Sequence, residues 1–461
     1  MTKSWQLSGT EVATLVQAKK VSASEVAGEH IERIDAINAH LNAIVLRTNQ
    51  DAVNSARQLD AGDRDVPLAG AVMTTKINTD HAPYPTDNGI KALRDAVPEG
   101  VHSCIRGLLD SGMTMVGRTN SPAFAMRSHT DNELHGETLN PYRDDISCGG
   151  SSGGAGVAVA TGMCHVAQGN DVAGSVRWPA YQNGVLGLRP TIGRMPTGGS
   201  SPVPRGWTAS MMATHGPLAR TMSDLLAGYE AMCRPNWGDP FWVPARHHFD
   251  DRAVNRVAIV VDDGLPIDPV VVATIRRVGT LLEDAGYEVV EAAPPMLDVV
   301  FSLWKRLSVF DIQLSLVPML PQIDDAGLKT AISAWAETFP APTPETFMKA
   351  LLDRDMVIRG WNAFYDAHPL VVTPMVTIPT IERGFDVKYP DSGTQFDAFG
   401  RWGINLSALG MPALAFPVGA HEGAPLGVQL TAHSWREDVL FDAGRALEER
   451  LGRVAPIDPV A

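Results

Sequence analysis

The sequence is short of cysteine. Its four cysteines, Cys104, Cys148, Cys164 and Cys233, are scattered through 461 residues without C-x-x-C spacing, which argues against a zinc ribbon or a disulfide framework. Unpaired thiols are typical of a reducing compartment. The start MTKSWQLSGTEV also lacks a basic segment followed by an apolar stretch, so we expect a cytoplasmic protein.

Positive charge and long apolar runs are also scarce. Lys and Arg together number 38 against 52 Asp and Glu, which gives a formal net charge of −14. This excess of negative charge repels phosphate backbones and anionic membrane surfaces. No apolar run approaches the roughly 18 residues of a membrane-spanning helix. We therefore expect neither nucleic acid nor a membrane as a partner.

The pattern of elements indicates an α/β protein. Ser8-x-x-Glu11 and Ser22-x-x-Glu25 each resemble a capping box, which predicts two helices near the N-terminus. From about residue 66, short apolar runs broken by Gly, Pro, Asn and Asp alternate with helical stretches, which favours layered α/β structure. RVAIVVDD, DPVVVATIRRVGTLLEDAG and YEVVEA predict a further strand, helix and strand. Residues 297–366 are predicted to be mainly helical.

Glycine is concentrated around two serines. Residues 149–199 hold 13 of the 42 glycines and include Ser151 and Ser175. Glycine lets backbone approach a ligand closely, so the N–H groups of the segment that ends at Ser175 could converge on an oxyanion. The predicted oxyanion donors are Val172, Ala173, Gly174 and Ser175. Glycine and serine runs also occur in plain loops and helix starts.

Lys76 is the candidate base. It lies in LAGAVMTTKIN among apolar residues and threonines, without an adjacent acidic residue. A lysine kept out of water loses its charge more easily, so its pKa falls and it can accept a proton from a serine. The alternative for Lys76 is an ordinary solvated surface lysine.

Other chemistries fit less well. Gly149-x-Ser151-x-Gly153 matches a nucleophile elbow, but the preceding NPYRDDISC does not read as the strand that this motif needs. Neither a Walker spacing nor a G-x-G-x-x-G after a strand is present, so phosphate and dinucleotide binding are disfavoured. His247 and His248 are adjacent, without ligand-spaced partners. We expect no metal and no cofactor.

Taken in order, these pieces resemble the amidase signature family of serine hydrolases. The matching segments are the Lys76 segment, VGRTNSPAFAM, HGETLNPYR, CGGSSGGAG, GNDVAGSVRWPA, GVLGLRPTIGRMPTGG, HGPLARTMSD, LGMPALAFPVG and GAPLGVQL. The resemblance covers nearly the whole chain and thins out between roughly residues 235 and 400. It implies a large mixed, twisted central sheet covered by helices on both faces.

The resemblance also implies a Ser-cisSer-Lys triad. Carried over onto this sequence, it makes Ser175 the nucleophile, Ser151 the proton-shuttling serine after a cis peptide bond, and Lys76 the base. Ser152 would belong to the same hydrogen-bond network. Asp171 and Arg177 would support the loop that carries the nucleophile.

The sequence departs from the family pattern near these residues. The base segment of the family usually reads G-I-P-x-x-V-K-D-N, and here Val72 and Ile77 replace its proline and aspartate. The nucleophile segment often reads G-T-D-x-G-G-S, and here Ala173 replaces a glycine. Loss of the aspartate leaves Lys76 in a more apolar setting, which suits a neutral base.

The implied function is hydrolysis of a small non-peptide carboxamide. Aromatic and soft apolar residues near the matching loops favour an aryl or apolar acyl group. The candidate pocket residues are Met73, Tyr84, Phe124, Met126, Trp178, Trp207 and Trp402. Two alternatives stay open: a subunit that releases ammonia from glutamine or asparagine for a partner, and a catalytically silent homologue. His81, His129, His135 and His215 could polarise a substrate or merely satisfy backbone groups.

The organisation implied by the resemblance is a single domain over residues 1–461. Residues 1–65 would form a helical wrap, and residues 66–232 and 400–461 would form the signature core. Residues 233–399 would be a variable, mainly helical insertion that contains the strand, helix, strand unit. The expected partner is a small-molecule amide, and formation of a homodimer stays open.

Overall fold

A computed structural model describes residues 2–197, 205–245, 255–336, 338 and 342–460. Eleven strands lie in this part of the chain. They are β1 (Ile44–Arg47), β2 (Val72–Lys76), β3 (Thr114–Thr119), β4 (Val166–Asp171), β5 (Leu186–Arg189), β6 (Thr214–Ala219), β7 (Arg256–Ile259), β8 (Glu288–Glu291), β9 (Leu370–Thr373), β10 (Ala413–His421) and β11 (Ala424–Ala432).

Sixteen α-helices lie in the same described residues. They are α1 (Gly9–Gln17), α2 (Ala23–Leu41), α3 (Asn49–Ala61), α4 (Ser103–Asp110), α5 (Gly153–Ala160), α6 (Arg177–Gln182), α7 (Trp207–Met212), α8 (Met222–Met232), α9 (Pro269–Glu283), α10 (Leu297–Asp311), α11 (Ala326–Ala336), α12 (Pro344–Ala367), α13 (Phe385–Lys388), α14 (Ser392–Phe399), α15 (Arg401–Leu409) and α16 (Glu437–Leu451). None of them is both long enough and apolar enough to cross a membrane.

All eleven strands belong to one mixed sheet. Their order is β1-β3-β2-β4-β6-β5-β10-β11-β9-β7-β8. β2 runs parallel to both β3 and β4, whereas β4 runs antiparallel to β6. The prediction of a large mixed sheet with helices is confirmed.

Helices cover both faces of the sheet. Neighbouring residues of a strand point to opposite faces, so each strand contributes side chains to the helix clusters on both sides. In β2, Val72 packs into a cluster with α1, α2, α3 and α5, whereas Met73 packs into a cluster with α4, α8 and α16. In β4, Val166 joins the cluster of Met73 and Ala167 joins that of Val72. Such strands are buried on both sides, which explains their continuous apolar runs.

The N-terminal helices begin at the predicted caps. The Ser8 and Ser22 side chains accept hydrogen bonds from the N–H groups of Glu11 and Glu25, and both boxes are closed reciprocally. The segment predicted as a helical wrap, residues 1–65, also contains a strand that was not predicted, because Ile44–Arg47 forms β1 and pairs antiparallel with β3. Only four residues long, this edge strand gives too short an alternation to recognise.

The segment after residue 255 also adds to the sheet. β7, α9 and β8 form the expected strand, helix and strand, and β7 lies parallel to both β8 and β9. β9 in turn pairs with β11, which connects this end of the sheet to the rest. The helices α10, α12 and α15 pack together on the face opposite α9 and α16. Trp304 of α10 lines the site described below.

Candidate active site

The site lies where two parallel strands end. Lys76 is the last residue of β2, and Asp171 is the last residue of the neighbouring parallel strand β4. Carboxyl ends of parallel strands meet at one edge of a sheet, where ligands commonly bind. Two loops cross this edge, one carrying Ser151 in front of α5 and one carrying Ser175 in front of α6.

Lys76 is buried and makes two polar contacts through its amine. Its side chain has no exposed surface, and Nζ donates to Ser151 Oγ at 2.6 Å and to Asn170 Oδ1 at 2.8 Å. Burial lowers the pKa of Lys76 well below its ordinary value, although the charge of Asp171 opposes this effect. Lys76 is therefore predisposed to be neutral, and it already holds the hydroxyl of Ser151.

Two amide side chains that we did not predict hold the lysine in place. Asn170 Nδ2 donates to Asn78 Oδ1 at 2.8 Å, which leaves Asn170 Oδ1 turned to the amine. Gln168 Oε1 accepts from the Lys76 backbone N–H at 3.1 Å. Asn170 stands where the family often has threonine, and only that departure marks it in the sequence.

The loop of Ser151 is packed against that of Ser175. The peptide bond between Gly150 and Ser151 is cis, as the resemblance implies. The Ser152 N–H donates to the Ser175 carbonyl at 3.1 Å, and Ser152 Oγ lies 3.5 Å from the Asn170 carbonyl. A Cβ at Gly150 would lie 2.7 Å from the Arg127 carbonyl oxygen, so only glycine allows this approach.

Asp171 anchors the loop of Ser175 from below. Its carboxylate accepts from Arg177 Nε at 2.9 Å, from Arg189 Nη1 at 3.2 Å and from the Val176 N–H at 3.2 Å. Burial by itself disfavours the charged carboxylate, but the charges of Arg177 and Arg189 outweigh it and hold the pKa of Asp171 below its usual range. Asp171 and Arg177 are therefore buried beneath the loop, in positions suited to the predicted supporting role.

The position of Gly174 removes one member from the predicted set of oxyanion-hole donors. Its N–H donates to Asp171 Oδ1 at 2.9 Å, so this N–H is turned inward and is not free for a ligand. Its φ is +99°, and a Cβ there would lie 2.0 Å from the Trp178 indole nitrogen. Glycine is thus required for the shape of the loop, and the candidate donors are reduced to Val172, Ala173 and Ser175.

One cavity at Ser175 is mainly apolar and has four aromatic side chains in its wall, and we call it the aromatic cavity. It holds about 620 Å³ of empty space, including the part open to solvent. Its lining includes Ser175, Gly150, Met126, Val172, Ala173, Trp178, Trp304, Ala331, Trp335 and Phe396. The charged residues in its wall, Arg127 and Asp386, are paired with each other at 3.1 Å.

A second cavity meets the first at Ser175, and we call it the strand-end cavity. Residues that follow or end β2 and β4, and residues that begin β6, line it together with Ser151 and Ser175. Its lining includes Asn78, Asp80, Glu99, His102, Phe124, Met126, Ser151, Asn170, Ser175, Arg205, Thr214 and His215. It is therefore richer in hydrogen-bonding groups than the aromatic cavity.

Three predicted pocket residues lie elsewhere. Met73 packs on the α4 side of the sheet, in the middle of β2. Trp207 is 53% exposed and packs edge-on against Phe241. Trp402 is buried in α15, where its Nε1 donates to Asp263 at 2.7 Å. None of the three lines either cavity, because closeness in sequence to a site segment does not decide where a side chain points.

The other predicted pocket residues divide between the two cavities. Met126 lines both, Trp178 lines the aromatic cavity, and Phe124 lines the strand-end cavity. The Tyr84 hydroxyl instead donates to the Asp51 carboxylate, outside both cavities.

The aromatic side chains in the wall of the aromatic cavity were not all predicted from the sequence. Trp304, Trp335 and Phe396 come from α10, α11 and α14, in the segment where the resemblance thins out. Trp304 Nε1 donates to the Val172 carbonyl at 2.7 Å, which ties this wall to the loop of Ser175. No local motif could reveal them, because the contacts join residues more than 100 positions apart.

Histidines near the site mostly satisfy neighbouring groups. His129 Nε2 lies 2.8 Å from Glu137, and His135 Nε2 lies 3.0 Å from Asp87. His215 differs because it lines the strand-end cavity. His247 and His248 lie outside the described residues, and the described part of the chain contains no cluster of three or more side chains that could hold a metal.

Comparison with known proteins gives the class. A family model described as Amidase matches residues 25–441. Indoleacetamide hydrolase of Bradyrhizobium diazoefficiens is 34% identical over 459 residues, covering 98% of this chain and 88% of that protein. Acylamidase of Rhodococcus erythropolis is 30% identical, covering 94% and 93%. The fold also matches a solved 6-aminohexanoate cyclic dimer hydrolase with a TM-score of 0.83, 24% identity and 99% coverage of both chains.

A fold and site of this kind define an amide hydrolase. This chain belongs to the amidase signature family, and the resemblance noted in the sequence is confirmed. It is an enzyme that hydrolyses amides.

Proposed function

We propose that this amidase cleaves the C–N bond of small non-peptide carboxamides with an aryl or other apolar acyl group, through an acyl-enzyme on Ser175. The observation that carries the proposal is the contact of buried Lys76 with Ser151 at 2.6 Å, beside a cavity walled by Trp178, Trp304 and Trp335 that opens on Ser175.

The proposed relay begins with neutral Lys76. It accepts the Ser151 proton while Ser151 takes the proton of Ser175, whose Oγ attacks the amide carbonyl. Ser151 then returns a proton to the leaving nitrogen, and the C–N bond breaks. Water enters, loses a proton through the same relay and releases the acid from Ser175. Burial of Lys76 supports this role because a protonated lysine could not start the sequence.

The oxyanion is assigned to N–H groups in the loop between β4 and α6. With the Gly174 N–H held by Asp171, those of Val172, Ala173 and Ser175 remain as candidates. Preorganised donors of this kind are commonly the largest single contribution to acyl transfer. The ionised Asp171 beneath the loop fixes its shape before substrate arrives.

The two cavities give the substrate an orientation. Ser151 must reach the leaving nitrogen, and Ser151 lines the strand-end cavity. The amine half is therefore assigned to the strand-end cavity, and the acyl half to the aromatic cavity. Indoleacetamide, the substrate in the name of one relative, has an aryl acyl half of the kind this orientation accepts.

The glutamine-dependent alternative is less well supported. Glutamine carries a charged carboxylate and ammonium that need charged partners on the acyl side. Arg127, the cation in the aromatic cavity, is already bonded to Asp386 and Asp131. Binding an amino acid there would require breaking a buried ion pair, which costs several kcal/mol.

The test is a substrate panel. Wild type is incubated with phenylacetamide, indole-3-acetamide, hexanamide and glutamine, with a chelator in a parallel arm, and released ammonia is measured. We expect the aryl amides to be hydrolysed with or without chelator and glutamine to be inert. Ser175→Ala should lower kcat by about 10³-fold or more. Full activity of Ser175→Ala, or loss of turnover with chelator, would contradict the mechanism, and preferred glutamine turnover would contradict the substrate class.

A further inference from the structure

His215 is a cavity-lining histidine that the relay above does not use. It sits near the start of β6, directly opposite Asn170 of β4 in the antiparallel pair. Directly opposed residues project from the same face of a sheet. His215 therefore lies beside Asn170, whose side chain contacts the Lys76 amine. Its surface is 7% exposed, and it lines the strand-end cavity.

The hydrogen bonds of Gln168 fix where the His215 proton sits. Gln168 Oε1 accepts from the Lys76 backbone N–H, and Gln168 Nε2 donates to the Gly169 carbonyl at 2.9 Å. The Lys76 N–H can only donate and the Gly169 carbonyl can only accept. These two bonds therefore fix which end of the Gln168 amide is oxygen and which is nitrogen. Nε2 of Gln168 also lies 2.9 Å from His215 Nδ1. The same nitrogen of Gln168 lies 3.2 Å from Thr79 Oγ1. Because an amide nitrogen can donate but not accept, we assign Nδ1 of His215 as an acceptor and the proton of the neutral ring to Nε2.

The ring of His215 is held neutral and in one plane. Burial lowers its pKa well below the ordinary value. The His102 ring packs against it with centroids 4.2 Å apart. Among the described residues, the hydrogen bond of the His215 ring to a side chain is the one between Nδ1 and Gln168. A fixed donor thus remains available on the side of the substrate assigned to the amine half.

We propose that the His215 Nε2–H group donates a hydrogen bond to a neutral oxygen on the amine half of the substrate, so that this enzyme selects N-substituted amides whose substituent carries such an oxygen. The inference rests on the proposed function and specifies the class of amine that leaves when the amide is cleaved. A carboxylate is disfavoured as the acceptor, because Asp80 and Glu99 line the same cavity and its Arg205 is paired with Asp239 at 3.0 Å.

Matched substrates isolate this hydrogen bond. The N-(2-methoxyethyl) and N-butyl amides of phenylacetic acid have chains of equal length and differ in one oxygen, as do the 3-methoxypropyl and pentyl pair. The measured quantity is the ratio of kcat/KM for ether over alkyl. A net hydrogen bond is typically worth about 0.5–1.5 kcal/mol, so His215→Leu should lower the ratio about 3- to 10-fold. His215→Asn, which keeps an N–H donor, should retain more of it.

A second variant tests the donor without changing His215. In Gln168→Glu the side chain can still accept from the Lys76 N–H, but it can no longer donate to His215 Nδ1. The proton should then move to Nδ1, Nε2 becomes an acceptor, and the ether-to-alkyl ratio should fall as in His215→Leu. The ratio cancels the fraction of active enzyme, so partial misfolding of a variant does not obscure it.

The outcomes separate this inference from the proposed function. Ratios that stay at the wild-type value in His215→Leu and Gln168→Glu, or a wild type that cleaves phenylacetamide but none of the N-substituted amides, would overturn the role of His215 alone. A wild type that cleaves no arylacetic amide at all would overturn the proposed function as well.

Discussion

The two cavities that meet at Ser175 are built from different parts of the chain. The strand-end cavity is lined by residues that follow or end β2 and β4 and residues that begin β6, in segments that match the family, and by residues between 86 and 102. The aromatic cavity takes Trp304, Trp335 and Phe396 from helices where the resemblance thins out, and other wall residues, such as Met126, Val172 and Trp178, from segments that match the family. On the proposed function, residues at the sheet edge carry the chemistry, whereas the helices packed over it help to select the acyl group.

Removing the amine should have the largest effect on the strand-end side. In Lys76→Met the proposed base is lost while the chain length is nearly kept, so we expect kcat/KM for phenylacetamide to fall about 10²- to 10⁴-fold with little change in KM. Steady-state kinetics measure this, with Lys20→Met at the surface as the matched control. A loss seen only in KM would instead make Lys76 a substrate-binding residue.

The aromatic side should respond in a substrate-dependent way. Trp335→Ala removes one wall of the aromatic cavity, so kcat/KM for phenylacetamide should fall roughly 10- to 100-fold, in line with the burial of a large apolar side chain. Acetamide, which is too small to reach this wall, should lose much less. Trp237→Ala is the matched control because Trp237 is 81% exposed. Equal losses of kcat/KM for both amides would contradict the assignment of the acyl half to the aromatic cavity.

The smallest expected effect is a shift in pH dependence. Asn170→Asp places a carboxylate where Asn170 Oδ1 now lies 2.8 Å from Lys76 Nζ, which raises the pKa of the lysine. Neutral Lys76 then appears only at higher pH, so the acid limb of the kcat/KM profile should move up by about one unit or more.

The control for this shift is Asn54→Asp, an exposed change on α3. It should leave the acid limb where it is in wild type. An unmoved acid limb in Asn170→Asp would mean that another group controls the profile.

Much of this arrangement could be predicted because it is local. Each capping serine, strand-forming run and glycine-rich loop can be recognised from a few consecutive residues. The predicted triad comes from segments that match the family in order. β1 could not be recognised, because a four-residue edge strand owes its existence to pairing with β3.

The errors in the pocket have a common cause. Met73 and Trp402 are apolar side chains close in sequence to site segments. Because of their positions in β2 and α15, however, both side chains point into the core. Trp304 and Trp335 reach the site only because α10 and α11 pack over it. Asn170 was missed because its contact with Lys76 joins the ends of two separate strands.

The central claim is that Ser175 carries the acyl group. The direct measurement is acid quenching during turnover of the 4-nitroanilide of phenylacetic acid, whose good leaving group speeds acylation, followed by peptide mapping by mass spectrometry. The account predicts a phenylacetyl group on Ser175 in wild type and none in Ser175→Ala. A phenylacetyl group on Ser151, or labelling and turnover that persist in Ser175→Ala, would contradict it.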